Sequence, residues 1–424
     1  MSMATEPTQQ IPTAAEYYQQ GAPMPPAPPT PPAGQSFQKQ EPPRRERRGF
    51  AGTAGVALLA AVLASGGTYA VTQLTENPTA TTTASTTTQN QGSSPTVIQG
   101  SATAPDWTAV AKAVSPSVVS IDVTTQQGSG AGSGVILDTN GHVLTNNHVV
   151  GDATGNGAIS VTLADGRTYG ATIVGTDPST DLAVIKLTSA PSDLTPISLG
   201  DSSILKVGDP VMAVGNPLGL SGTVTTGIVS ALNRPVSTSE ASPSPNGSTS
   251  SDSVVTNAIQ TSAAINPGNS GGALVNAKGE LVGINSAIAS LGAAQGTQGG
   301  NIGIGFAIPV KEAKSISQQL IKTGQAEHAF LGVSAKDTTV KDGSAQRAGA
   351  QVAAVNSGTP AANAGIKTGD VIIAVNGQPV DSSTALVAQI RAMTAGDKAT
   401  VTLIRDGVRQ DVQVTLAVKP ATSN

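Results

Sequence analysis

Between Val118 and Ile308 the chain is a succession of short β-branched and aliphatic runs. They are Val118–Val123, Gly134–Leu137, His142–Thr145, Ile159–Leu163, Ala171–Val174, Leu182–Leu187, Pro210–Val214, Val254–Ile259, Ala273–Val275, Leu281–Ala287 and Ile302–Ile308. Turn residues such as Thr139-Asn140-Gly141 and Ala164-Asp165-Gly166 separate them. Many short strands with no helices between them argue against a parallel α/β sheet and predict a mainly β barrel or sandwich. Aromatic residues make up 2% of the chain, so its core must be built from Val, Ile, Leu and Ala. A short amphipathic helix, Trp107 to Val114, precedes the strands and is stopped by Ser115-Pro116. A second, Val310 to about Lys322, follows Pro309 and stops at Thr323-Gly324. Residues 237–253 are rich in Ser, Pro and Thr and read as a mobile loop.

The last hundred residues form a separate small unit. Phe330-Leu331-Gly332-Val333 starts a strand, and runs at 352–355 and 371–375 follow. A single helix from about Ser383 to Met393 then leads to a strand pair at 398–405 and 409–417.

The N-terminal quarter has another texture. Residues 1–48, dominated by Pro, Gln and Ala, cannot bury enough apolar surface to offset ordering entropy and are predicted disordered. After Arg44-Arg45-Glu46-Arg47-Arg48, residues 49–71 carry no charge. At about 1.5 Å per residue such a helix spans the roughly 30 Å of a bilayer core. Arginines on its leading side predict a cytoplasmic N-terminus and an extracytoplasmic remainder. A cleaved signal peptide is the alternative, although more than forty polar residues make a long leader. Residues 72–104, rich in Thr and Ser, read as an extended linker.

Composition removes several function classes. A net charge of −4 with 12% charged residues leaves no basic stripe for nucleic acid. With no cysteine there are neither disulfides nor thiolate metal sites, and no His/Asp/Glu group has metal-ligand spacing. Gly128-Ser129-Gly130-Ala131-Gly132-Ser133-Gly134 lacks the Lys-Ser/Thr of a phosphate loop and reads as a flexible lead into a strand. No cofactor or metal is expected.

One stretch carries chemistry. Asn266-Pro267-Gly268-Asn269-Ser270-Gly271-Gly272 sets a serine among glycines between two apolar ends. Taken alone it is equally a glycine-rich turn. A serine held there could attack a carbonyl while neighbouring N–H groups face the oxygen that becomes negative. The base must come from three histidines. His142 follows an Asn-Gly turn and is expected to be exposed; His328 lies in the hinge before the last unit. His148 ends a strand inside a core-forming segment. Asp177 precedes Pro178 and reads as a turn-former. Asp181 abuts an apolar strand, where a carboxylate needs a donor such as an imidazole N–H. Gly268 to Gly272 also fits the G-x-S-x-G elbow of α/β-hydrolases. That fold places a helix after the serine and then acid and histidine, whereas a strand–turn–strand pattern follows Ser270. The order His148, Asp181, Ser270 on a β framework is that of chymotrypsin-like enzymes.

Thr145-Asn146-Asn147-His148-Val149-Val150, Asp181-Leu182-Ala183-Val184-Ile185-Lys186, the Asn266–Gly272 stretch and Gly305-Phe306-Ala307-Ile308-Pro309 resemble the HtrA/DegP family of trypsin-like serine proteases. The resemblance runs from about Trp107 to Val418. It implies a chymotrypsin-like double β-barrel protease at 105–324 and a PDZ domain at 325–420. His148 would be the general base, Asp181 its partner and Ser270 the nucleophile. The backbone N–H groups of Gly268 and Ser270, with Asn269 between them, would form the oxyanion hole. Phe330-Leu331-Gly332-Val333 would hold a peptide's C-terminal carboxylate while the peptide adds as a strand. Gly365–Ile372 and Val375-Asn376-Gly377 match the same domain. The family usually has an acidic residue at Ser262 and a proline at Ala273, departures that bear on loop rigidity or regulation.

The resemblance further implies a membrane-anchored endopeptidase of protein quality control, acting on misfolded or exposed polypeptides. It implies cleavage after small aliphatic residues and a homotrimer. A chaperone or scaffold with a latent protease site, or a regulated signalling protease, would share this sequence. Because a histidine base must be neutral, activity is expected to fall as pH drops through about 6–7.

Overall fold

The computed structural model describes residues 105–420, apart from 127, 156, 218–221, 239–253, 267 and 288–302. The segments expected at 1–48, 49–71 and 72–104 lie outside the described residues. Among the described residues no helix is long and apolar enough to cross a membrane.

Helix α1 (Trp107–Val114) is capped by Asp106, whose carboxylate accepts from Ala109 N–H at 3.0 Å. Six strands follow: β1 (Val118–Thr124), β2 (Ser129–Ile136), β3 (His142–Thr145), β4 (Ala158–Thr162), β5 (Thr168–Asp177) and β6 (Leu182–Leu187). One helical turn, α2 (Asn147–Val150), lies between β3 and β4. The strands close into a barrel in the order β1-β2-β3-β6-β5-β4. Six more form a second: β7 (Pro210–Gly215), β8 (Thr223–Thr238), β9 (Val254–Thr261), β10 (Ala273–Asn276), β11 (Leu281–Ser286) and β12 (Gly305–Pro309). Its order is β10-β11-β12-β9-β8-β7.

Period-two side-chain alternation explains why these strands read as continuous apolar runs. In β1, β2, β3 and β6 one parity (Val119, Ile136, Val143, Ile185) fills the first barrel. The other parity (Val118, Val135, Leu144, Val184) faces outward and meets Met212, Val214, Val275 and Ile284 of the second barrel. Strand β7 repeats the pattern, with Val211 and Ala213 in its own barrel's core. With both faces of these segments buried, aliphatic residues dominate them, and the few buried polar groups such as Ser133 and Thr145 are hydrogen-bonded. At about 1.5–3 kcal/mol for each aliphatic side chain removed from water, this seam fixes the barrels against each other. Helix α3 (Val310–Thr323) seals it with Val310, Ala313, Ile316 and Leu320, and ends at Gly324 with φ 75°.

Two local expectations need correction, and one strand was not anticipated. All of the glycine-rich stretch but Gly128 belongs to β2. Close packing needs two of its glycines: a Cβ on Gly132 would lie 2.7 Å from Val149 Cγ atoms and one on Gly134 2.5 Å from Val143 Cγ1, whereas Gly128 and Gly130 have open space. Strand β8 has no clear sequence pattern because Gly227 and Pro235 interrupt it, and register shifts around Ala231 with Asn233 at φ 54° bend it. His142 is buried, because Asp138 four residues earlier meets its Nδ1 at 2.7 Å.

The C-terminal region is the part expected to form a PDZ unit. Strands β13 (Ala329–Phe330), β14 (Val333–Asp342), β15 (Ala345–Val355), β16 (Val371–Val375), β17 (Gln378–Pro379), β18 (Lys398–Arg405), β19 (Val408–Thr415) and β20 (Ala417–Val418) make its sheets. The main path is β14-β15-β16-β18-β19, while β13 pairs with β20. A four-residue helix, α4 (Pro360–Asn363), accompanies the expected α5 (Ser383–Arg391). Leu386 and Ile390 of α5 share the core with Ile372, Val401 and Leu403.

Candidate active site

The segment after β3 wraps around one carboxylate. Asp181 is 3% exposed and sits in a left-handed conformation, φ 58°, at the end of a tight turn from Asp177. Its carbonyl oxygen accepts from Asn146 Nδ2 at 2.9 Å and from Asn147 N–H at 3.1 Å. Its carboxylate accepts from His148 N–H at 3.0 Å. His148 Nδ1 lies 2.9 Å from both carboxylate oxygens. Since a carboxylate only accepts, Nδ1 carries the proton, and in the neutral ring this leaves Nε2 with its lone pair. Ser286 Oγ, at the end of β11, adds a further donor to Asp181 Oδ2 at 3.2 Å.

The turn that presents Asp181 is itself built from side chains. Asp177 accepts from Ser179 N–H and from Thr180 Oγ1, and lies 2.9 Å from buried His328 Nε2. Arg391 at the end of α5 donates to Ser179 O at 3.3 Å. Asp177 thus forms a turn, as expected, and in addition ties it to the segment leading into the PDZ unit.

Ser270 enters the same place from the second barrel. Gly132 of β2 stands between Val149, the neighbour of His148, and the Ser270 carbonyl. Ser270 Oγ accepts from Ala287 N–H at 3.1 Å, one residue beyond Ser286. Among the described residues it makes no hydrogen bond to His148. The three predicted residues are therefore gathered at the barrel junction, with His148 and Asp181 bonded and Ser270 turned to Ala287. The loop before it is a tight turn in which Asn269 N–H donates to Asn266 O at 3.0 Å, with Gly268 at φ 95°. Among the described residues neither Gly268 N–H nor Ser270 N–H donates a hydrogen bond. Gly271, at φ 82°, has Ser133 O and Thr145 Oγ1 where a Cβ would stand.

In the PDZ unit, Phe330, Leu331, Gly332 and Val333 line a cavity of about 200 Å³ facing Leu386 and Ile390 of α5. The Leu331 and Gly332 carbonyls are tied to Ala361 N–H at 2.9 Å and Asn356 N–H at 3.1 Å. Among the described residues, the N–H groups of Leu331 and Gly332 donate to nothing. A carboxylate would suit them. No group of three or more His, Cys, Asp or Glu able to hold a metal occurs among the described residues.

Sequence reasoning missed Ser286 and Ser133. Nothing in a polar residue at a strand end distinguishes Ser286. Ser133 lay in a stretch whose glycines hid its strand.

Known proteins share this architecture. Residues 132–284 match trypsin-like peptidase domains and residues 329–416 match PDZ domains. The serine protease PepD of Mycobacterium tuberculosis is 50% identical over 317 residues, covering 72% of this chain and 65% of that protein. The periplasmic serine endoprotease DegP of Escherichia coli is 45% identical over 298 residues, covering 69% and 58%. The match thus spans 65% or less of these curated relatives' own lengths. The structure of the HtrA-type protease AlgW with a tripeptide is 36% identical, with a TM-score of 0.53 over 75% of this chain and 98% of that one. With two six-stranded barrels followed by one PDZ unit, the chain belongs to the HtrA/DegP-like family of trypsin-like serine proteases.

Proposed function

We propose that this chain is a serine endopeptidase of protein quality control, anchored to the cell membrane by residues 49–71. The protease (105–324) and PDZ (325–420) domains would stand outside the cytoplasm. The observation that carries the reading is His148 Nδ1 held by the Asp181 carboxylate beside the loop of Ser270. Ser270 Oγ swings from Ala287 N–H toward His148 Nε2; such bonds often form only once substrate binds. Oγ then attacks the scissile carbonyl and Nε2 takes its proton. The oxyanion is received by Gly268 and Ser270 N–H groups. His148 passes the proton to the leaving amine, and water hydrolyses the acyl-enzyme along the reverse proton path. The PDZ cavity binds peptide C-termini, in keeping with the tripeptide and decapeptide complexes of AlgW. Misfolded or exposed polypeptides are the substrates and a homotrimer is the assembly. The relatives named periplasmic support the location.

The bond from Ala287 to Ser270 favours a second reading, a peptide-binding chaperone whose protease site is latent. A fluorophosphonate probe separates them. Labelling that disappears in Ser270→Ala, with peptides released from unfolded casein by wild type alone, supports the endopeptidase. No labelling with PDZ peptide binding intact supports the latent form.

A further inference from the structure

Among the described residues, Ser133 is the fully buried hydroxyl that reaches from the first barrel into the nucleophile loop of the second. Its Oγ donates to Gly268 O at 2.6 Å and accepts from Asn216 N–H at 2.8 Å. Its own N–H donates to Ser270 O at 2.8 Å, and its carbonyl accepts from Thr145 Oγ1 at 2.7 Å. Ser133 therefore grips the loop twice, on either side of Asn269. The glycines flanking it permit this approach: a Cβ on Gly132 would lie 3.3 Å from Ser270 O, and one on Gly134 2.8 Å from Ile121 Cδ1.

These bonds bear on the two candidate oxyanion donors. Between the amides ending in Gly268 N–H and Ser270 N–H lies a single peptide unit, Gly268–Asn269. Its N–H is held by Asn266 O at 3.0 Å and its C=O by Ser133 Oγ. With both ends fixed this unit cannot rotate, and the amides on either side of it keep their direction. An oxyanion hole works because its donors are already aimed before charge develops. We propose that Ser133 is a positioning residue for acyl transfer, holding the Gly268 and Ser270 N–H groups in a competent arrangement. Only a group that donates and accepts at once can serve both Gly268 O and Asn216 N–H, which defines the role of a serine here. The inference rests on the endopeptidase reading above.

The test uses the full chain as wild type, Ser270→Ala, Ser133→Ala and Ser133→Cys. Each is followed by the rate of fluorophosphonate labelling, in which Oγ displaces fluoride from phosphorus. Turnover of a fluorogenic peptide with a small aliphatic residue at the cleaved position gives kcat and KM, and melting temperatures set the working range below unfolding. Losing one oxyanion donor outright costs about 10²–10³-fold. Loosening both, Ser133→Ala should lower labelling and kcat by about 10–100-fold with KM within about threefold. The thiol of Ser133→Cys, a weaker donor, should fall between. Ser133→Ala labelling within about twofold of wild type overturns the inference and leaves the endopeptidase standing. So does a loss that only tracks the unfolded fraction or appears in KM alone. A wild type that is not labelled overturns both.

Discussion

Glu312 should make the protease unit less stable as pH rises, and Glu312→Gln should abolish that dependence. The residue lies in the first turn of α3, 6% exposed, and neither carboxyl oxygen has a hydrogen-bond partner among the described residues. Burial, reinforced by the charge of Asp177 and partly offset by Arg391, pushes its pKa up to about 8 from an ordinary value of 4.5. The folded state therefore holds a proton that the unfolded chain releases above about pH 4.5. The associated stability is complete below pH 4.5, declines across the interval, and is gone once pH passes about 8. At about 1.4 kcal/mol for each pH unit, the ceiling is about 5 kcal/mol. Relaxation and water entry around a buried charge commonly halve such a figure, leaving about 2–3 kcal/mol. In a unit of about 200 residues each kcal/mol moves Tm by about 2–4 °C.

Thermal unfolding at pH 5, 7 and 9 in a Ser270→Ala background, which prevents self-digestion, reads the effect directly. Proteins with and without the Glu312→Gln substitution should melt within about 2 °C of each other at pH 5. At pH 9 the glutamine form should melt about 5–10 °C higher, because the amide keeps the shape and never ionises. Parallel curves across the three pH values would refute the reasoning, since they would mean Glu312 is solvated or paired in the folded state.

Two further outcomes follow from the site. Ser286→Ala removes one donor to Asp181 Oδ2; a hydrogen bond to a charged group contributes about 1.5 kcal/mol, so kcat should fall about tenfold while KM holds. A loss in KM alone would contradict a role through Asp181. Gly271→Ala and Gly279→Ala start from similar angles, φ 82° and 78°. The left-handed conformation costs each about 1–2 kcal/mol. At Gly279 the new methyl meets only Val114 Cγ2 at 3.4 Å and Val110 Cγ1 at 3.9 Å, whereas at Gly271 it runs into Ser133 O and Thr145 Oγ1. Melting should therefore show Gly271→Ala as the worse by about 2 kcal/mol or more, with loss of labelling; equal melting temperatures would count against the packing described.

How much of this was legible depended on whether residue type or tertiary approach carried the information. The candidate triad was legible because its chemistry needs fixed residue types, and the chain offers only three histidines. The barrels were legible because nearly every residue of β3, β6 and β7 is buried, giving largely aliphatic runs that short turns divide. Strand β8 was not, because its bends require Asn233 and Pro235, residues that in isolation mark a loop. His142 reversed its expected exposure through a partner, Asp138, whose reach across a turn no local pattern announces.

The same distinction explains why the support of the candidate site was harder to read than the site itself. Asp181 needs a left-handed backbone, and a turn alone does not maintain that conformation for a non-glycine residue. It is maintained because Asn146, Asn147 and His148 all bond to it from one side, while Asp177 closes the turn on the other. Asp177 in turn contacts His328 in the segment entering the PDZ unit. Ser133 does for the nucleophile loop what these groups do for the acid. The candidate reacting groups sit on short turns, and residues on neighbouring strands and turns hold them through contacts that only tertiary approach creates. A chain preserving His148, Asp181 and Ser270 while losing those contacts would keep the motif and lose the geometry that the chemistry requires.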